Sequence, residues 1–252
     1  MSGIAVLLLA AHPVHAQGPR GFPSREIEEK EEEPPPPGPL LMRAVRRQLP
    51  PQWIRMAGFI RTRRDGEDSD RRLISELGFG SPVPFAEYRI FDALGSPLTR
   101  VRVSWPMGAP EFAQWDGEGE PLPQPAPQDG VADTGLTWSD LSLSFLWWPG
   151  AEVVESDRVK TRSSWVVRIP APPERGDVDH IRLWVDKKAL FIVKAELLDA
   201  EGDLLKRIEV DSIKEIREEV WMVKDLLVRD KQNGLRVGIR FQEVEELEEI
   251  DE

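Results

Sequence analysis

The feature that most constrains this chain is a run of short alternating segments, separated by turn signals, through its last third. Ile181, Leu183 and Val185 alternate with Arg182, Trp184 and Asp186. Leu204, Ile208 and Val210 share one face, as do Leu235, Val237, Ile239 and Phe241. A repeat of two residues is that of a strand with one buried face. Turn residues stand between the segments, at Asp186-Lys187-Lys188, Glu201-Gly202-Asp203 and Asn233-Gly234. Asn-Gly favours a type I′ hairpin turn, whose two central residues both need positive φ. These patterns predict strands at Glu152–Thr161, Ser164–Ile169, His180–Val185, Leu190–Leu198, Leu204–Ile213, Val220–Arg229 and Leu235–Val244.

The earlier chain adds candidates at Gln52–Arg64, Leu73–Phe79, Phe85–Leu94 and Leu98–Trp105. In the last of these Val101, Val103 and Trp105 point one way, and Arg100, Arg102 and Ser104 the other. With Gly95-Ser96-Pro97 between them, the last two read as a hairpin with one buried and one wet face. About a dozen strands joined by short turns predict a mainly β (α+β) chain with one large, curved antiparallel sheet.

Two segments carry the period of a helix. Leu40, Leu41, Ala44, Val45 and Leu49 recur at helical spacing and stop at Pro50-Pro51, with Arg43, Arg46 and Arg47 on the polar side. Thr137-Trp138-Ser139-Asp140 matches a capping box, in which the threonine hydroxyl and the carboxylate each take a free backbone N–H. Trp138, Leu141, Phe145 and Trp148 follow at spacings of three and four, and Pro149-Gly150 ends the run. Before it, Gly117–Asp133 is a Pro- and Gly-rich loop, long for a compact domain, and expected to be mobile or a lid.

Composition sets the outer limits. The 252 residues suit one large β domain, and the absence of cysteine excludes disulfides and thiolate chemistry. The net charge of −12 is concentrated at the ends. Residues 17–38 hold six acids against three bases, residues 243–252 hold seven acids and no base, and the middle is nearly neutral. Such a body lacks the basic face that nucleic-acid binding needs. Ile4–Ala11 is an apolar stretch, and Val14-His15-Ala16 fits a small-x-small cleavage site, although Met1-Ser2-Gly3 carries no Lys or Arg. The expectation is a signal peptide over 1–16, cleaved after Ala16, and export. An acidic, proline-rich linker over 17–39, a folded body over 40–242 and an acidic tail over 243–252 complete the expected organisation.

Three stretches carry a family likeness. Leu136-Thr137-Trp138-Ser139-Asp140-Leu141-Ser142-Leu143-Ser144-Phe145-Leu146-Trp147-Trp148-Pro149 resembles the internal helix of the outer-membrane lipoprotein-sorting proteins, the LolA-like superfamily. Ile181–Lys188, continued through Ala195-Glu196 and Leu197–Lys206, resembles that family's strand–turn–strand signature, and Val220–Asp225 fits the strand after it. The resemblance implies an unclosed β-barrel (a half-barrel) whose concave face is covered by short helices. It implies a periplasmic carrier that holds acyl chains of lipoproteins or other lipids in a hydrophobic groove and uses no cofactor. It also makes an inner-membrane release transporter or an outer-membrane receptor the candidate partners, for a chain expected to be monomeric. The acidic-proline leader and the acidic tail depart from the family pattern.

A lipid groove makes physical sense, since each buried methylene is worth about 0.8 kcal/mol and aromatic side chains supply area without strict geometry. The candidate lining is Trp138, Leu141, Phe145 and Trp148 from the aromatic helix, Val101, Val103 and Trp105 from one strand, and Leu41 and Val45 from the first helix. Each has a plainer reading as ordinary core, and a protein of this fold with a filled groove and protein partners is the alternative.

Catalytic and metal chemistry find little support. Asp65-Gly66-Glu67-Asp68-Ser69-Asp70 is acid-dense but lacks the spacing of a Ca²⁺ loop, so a solvated turn is expected. His180 is the one histidine beyond the expected cleavage site, with Asp177 and Asp179 beside it. A lone histidine without a nucleophile and an orienting partner does not make a triad. The expectation is a non-enzyme without a metal.

Overall fold

The computed structural model describes residues 8–10, 34–106, 110–141, 144–217 and 220–247. Most of the expected signal peptide, the acidic run of the linker and the last five residues lie outside the described residues.

The chain opens with β1 (Leu8–Ala10), then α1 (Gly38–Arg46). Six strands follow: β2 (Trp53–Arg64), β3 (Glu67–Gly78), β4 (Phe85–Phe91), β5 (Pro97–Ser104), β6 (Glu111–Asp116) and β7 (Pro121–Leu122). A long crossing segment contains α2 (Trp138–Leu141) and a 3-10 turn over Ser144–Trp147. The second run is β8 (Glu152–Val159), β9 (Arg162–Pro170), β10 (His180–Asp186), β11 (Ile192–Leu198), β12 (Leu204–Arg217), β13 (Val220–Asp230) and β14 (Leu235–Leu247).

Thirteen strands form one antiparallel sheet in the order β7-β6-β5-β4-β3-β2-β14-β13-β12-β11-β10-β9-β8. The first run walks outward from β2, and the second returns inward to β14. The two runs meet where β14 pairs with β2, from Arg236 opposite Arg63 to Leu247 opposite Trp53. The outer strands β7 and β8 do not pair with each other, so the sheet curves without closing. Leu8–Ala10 pairs off this path, with Val220–Met222 of β13.

Alternation explains which face is buried. Ile54, Met56 and Ile60 of β2 are buried, as are Val101 and Val103 of β5 and Val237, Ile239 and Phe241 of β14. Fully burying one such side chain contributes about 1.5–3 kcal/mol, so the inward rows supply the fold's main stabilisation. In α1, Leu41, Met42 and Val45 face the core while Leu40 lies exposed.

Four expectations need correction. Glu67–Asp70 belongs to β3, because Asp65-Gly66 alone makes the turn, with φ of 52° and 90°. The acids then face the β2 arginines, and Arg61 donates two 2.8 Å hydrogen bonds to Asp70. Such opposite-charge pairs favour strand over loop. Asn233-Gly234 does close a hairpin, but Asn233 is absent from the positive-φ residues, so the turn is not type I′. Asp230 instead caps a four-residue loop, accepting the Asn233 backbone N–H at 3.0 Å. β6 had no counterpart in the sequence reading, because its residues are nearly all half-buried and show no alternation. Finally, β14 continues through Leu247, so residues 243–247 of the expected tail are paired with β2.

Candidate functional site

Residues 123–151 cross from the β7 edge of the sheet to the β8 edge and form a strap over its concave face. The strap first folds on itself. Gly130 bridges Thr137, Val131 N–H donates to Leu136 O at 2.9 Å, and Ser139 N–H donates to Pro127 O at 2.8 Å. Ala132, Asp133 and Gly135 all take positive φ in the tight turn between. The capping box forms as expected: Thr137 N–H donates to Asp140 Oδ2 at 2.8 Å, and Asp140 N–H to Thr137 Oγ1 at 3.2 Å.

Of the helix expected from Thr137 to Trp148, Trp138–Leu141 is α-helical and Ser144–Trp147 is 3-10, and residues 142 and 143 lie outside the described residues. Ser139 and Ser144 lower helix propensity in this stretch, and packing against a curved surface takes precedence over the apolar period.

Every candidate lining residue enters one cluster. Leu41, Val45, Val101, Val103, Trp105, Trp138, Leu141 and Phe145 are at most 4% exposed, and Trp148 is half-buried against them. The Trp138 ring meets Phe112 edge-on at 5.6 Å, and Trp147 stacks on Trp105 at 5.2 Å. The strap is therefore closed on the sheet, with its aromatic side chains inward. Among the described residues, the buried indole N–H groups of Trp105 and Trp138 have no hydrogen-bond partner. Two hollows, of about 370 Å³ and about 500 Å³, share Phe59 and Gln242, and neither is lined by these residues.

Polar contacts pin the strap to the sheet. Thr62 of β2 donates its hydroxyl to Thr134 O. Tyr88 of β4 donates to Leu141 O at 3.3 Å, and burial pushes its phenol pKa upward. Arg46 of α1 donates to Leu146 O. Gly38, at the start of α1, sits against Ala151 so closely that a Cβ there would lie 2.1 Å from the Ala151 carbonyl oxygen.

A further anchor is ionic. Lys206 Nζ lies 2.9 Å from Asp140 Oδ2 and 3.5 Å from Asp230 Oδ2. The three side chains are 3%, 0% and 7% exposed. Burial would pull the Lys206 pKa down, but the two carboxylates outweigh it and hold it above the ordinary lysine value. Burial pulls the nearby Arg175 guanidinium down to about 10, with Asp140 and Asp177 acting in the opposite sense. Arg175 also lies over the Trp148 ring, 5.4 Å from its centre. The sequence reading saw Asp140 as a cap alone and passed over Lys206. The available signal was Lys206's position between Leu204 and Ile208, on an inward row.

His180 opens β10 with its Nδ1 2.8 Å from Asp179 Oδ2, far in sequence from the strap and outside the core cluster. Among the described residues no helix is long and apolar enough to cross a membrane.

The unclosed antiparallel sheet is shared with solved LolA-like and lipoprotein-sorting proteins. A DUF1329 family protein from Desulfovibrio piger superposes with a TM-score of 0.73 at 12% identity, covering 85% of this chain and 93% of that one. A protein described as an outer membrane lipoprotein-sorting domain, from Vibrio parahaemolyticus, gives 0.68 at 12% identity, covering 84% and 94%. A LolA superfamily protein from Nitrosomonas europaea gives 0.65 at 12% identity, covering 86% and 96%. At this identity the likeness is one of fold. No curated protein matches the chain by sequence. The model of the family described as "-like: Uncharacterized protein" matches residues 122–252, more than half of the chain, and the chain belongs to that family.

Proposed function

We propose that this protein is a periplasmic carrier that takes acyl chains of lipoproteins or other lipids between its concave sheet face and the strap, for outer-membrane sorting. The observation that carries this reading is the strap itself: an aromatic segment crosses an unclosed sheet from edge to edge, packed on it through buried apolar side chains and pinned by a handful of polar contacts. Opening it would expose a continuous apolar surface without breaking a strand pairing. Acyl chains held there would keep the about 0.8 kcal/mol per methylene that a membrane gives them over water, so that transfer to and from a membrane is nearly balanced. Such a carrier makes and breaks no covalent bond, so we read it as a non-enzyme. A membrane transporter or receptor that hands over cargo is the partner class this reading implies. Export through residues 1–16 and an acidic leader over 17–39 belong to the same proposal.

The tight packing of Trp138, Leu141 and Phe145 favours the second reading, a binding module of the same fold with a filled interior and protein partners. Displacement of a fluorescent fatty acid, with native mass spectrometry for co-purified lipid, separates the two. The carrier binds the probe, and Phe145→Ala or Trp148→Ala weakens binding in a protein that stays folded. Bare protein with no probe uptake would leave the filled module standing.

A further inference from the structure

Building on the carrier reading, we infer that the lipid held under the strap is bound through ester carbonyls. These accept hydrogen bonds from the indole N–H groups of Trp105 and Trp138 and from the hydroxyl of Ser75. Among the described residues, none of these three buried groups has a hydrogen-bond partner. A donor left unmet in an apolar interior carries its full desolvation cost, so native interiors pair nearly all of them. Three in one region call for an acceptor that comes from outside the chain.

Their positions bracket one part of the interior. Trp105 continues the inward row of Val101 and Val103 directly after β5, and its ring stacks on Trp147 of the strap at 5.2 Å. Trp138 comes from the strap and meets Phe112 at 5.6 Å, and Phe112 lies directly opposite Val103. Ser75 stands on β3 opposite Tyr88, which in turn lies opposite Val101. The donors thus come from both walls, sheet and strap, over β3–β6. The Tyr88 hydroxyl in the same region is already engaged with Leu141 O. On β8–β14 the single such donor among the described residues is Arg207 Nε, whose guanidinium meets Glu196 at 2.8 Å. The unmet polar demand therefore lies on one side of the interior.

The chemistry of the donors selects the acceptor. An indole N–H gives a hydrogen bond and accepts none. An ester carbonyl accepts and brings no donor of its own, so it enters an apolar interior without creating a new unmet group. A hydroxyl or amide headgroup would import a donor. A carboxylate would import a charge, which needs a buried cation, and Lys206 is already held by Asp140 and Asp230. Ester-linked acyl chains meet these conditions, and ether-linked chains, which lack the carbonyl, leave the donors unmet.

The test compares dioctanoylglycerol with its ether analogue, dioctylglycerol, in displacing a fluorescent fatty acid from the full chain. The two share chain length and free hydroxyl and differ in the carbonyl oxygens. The native protein should bind the ester about tenfold more tightly than the ether. Trp105→Phe and Trp138→Phe keep a ring and lose the N–H, and Ser75→Ala loses the hydroxyl. Each should reduce the preference, and the double tryptophan variant should bring it near parity. A change of packing acts on both glycerols alike, so the ratio reports the donors. Nuclear magnetic resonance of the native protein decides where a variant fails to fold. The indole N–H protons of Trp105 and Trp138 should move downfield with the ester and not with the ether. Equal displacement by the two glycerols, or indole protons that respond alike to both, would overturn the ester assignment and leave the carrier reading standing. No displacement by either would overturn the carrier reading and, with it, the assignment that rests on it.

Discussion

The indole rings of Trp105 and Trp147 stack 5.2 Å apart with their planes 18° from parallel, one at the end of β5 and the other on the strap's 3-10 turn. Phe79 also meets Trp105, 5.8 Å away and tilted by 32°. Because Trp147 is half-buried, Trp147→Ala should cost about 2 kcal/mol, less than the 3–5 kcal/mol of a fully buried aromatic. Urea unfolding measures this, and loss of near-ultraviolet circular dichroism from the stacked pair localises it. An unchanged unfolding midpoint would mean that the strap end is not held by this stack.

Exposed and buried ion pairs should separate by size of effect. Arg61 and Asp70 are bonded through two 2.8 Å contacts, but their side chains are largely solvated, so Arg61→Ala should cost below about 1 kcal/mol. Thr137→Ala removes half of the capping box and should cost about 1 kcal/mol. Asp140→Ala removes the cap and a buried partner of Lys206 together, and should cost about 3–5 kcal/mol. Chemical denaturation of the three variants gives the ranking. A cost for Arg61→Ala equal to that of Asp140→Ala would contradict it.

The alternating strands were legible for a simple reason. β14 buries Leu235, Val237, Ile239 and Phe241 on one face and exposes Arg236, Arg240 and Gln242 on the other, so apolar and polar residues alternate. β6 escaped detection because Glu111–Asp116 is neither clearly buried nor clearly exposed on either side. The start of β3 looked like a loop because acids are poor strand formers, and what makes them strand is the arginines of β2 across the ladder. The strap shows the opposite failure. Its capping box and aromatic spacing were visible, and the nine candidate lining residues all belong to the one apolar core that runs through the whole protein. Its change from α to 3-10 geometry was not visible, because the curvature of the sheet beneath it is a property of distant residues. Lys206 was missed because a lysine on an inward row has meaning only once Asp140 and Asp230 are placed around it.

The alkaline limit follows from Lys206. Its folded pKa lies above the ordinary 10.5, so its contribution is complete below that value and is lost as pH rises through the higher folded pKa. Thermal stability should therefore hold through neutral and mildly alkaline pH and fall beyond about 10.5. Lys206→Met should lack that fall. A melting profile in which both proteins decline alike above this pH would assign the loss to other groups.

Two glycines of the central β2–β14 region should respond in opposite ways to alanine. Gly58 lies opposite Phe241, and β14 is irregular between Phe241 and Glu243. A Cβ at position 58 would stand 2.0 Å from the Arg240 carbonyl oxygen and 2.9 Å from the Phe241 Cα. Both obstacles are backbone in a paired strand, so no side-chain rotation relieves the overlap. Gly58→Ala should cost about 3 kcal/mol and disturb the seam where the two halves of the sheet meet. Gly238 occupies β14 opposite Arg61, and a Cβ there meets nothing within 4 Å. Its backbone φ is not positive, so alanine is unstrained. Gly238→Ala should stabilise by about 0.5–1 kcal/mol, because glycine gives up more conformational freedom on folding. Paired urea titrations test both at once. Equal effects of the two substitutions would show that β14 can slide past β2, and the register from Arg236 to Leu247 would then not be the one that joins the two halves of the sheet.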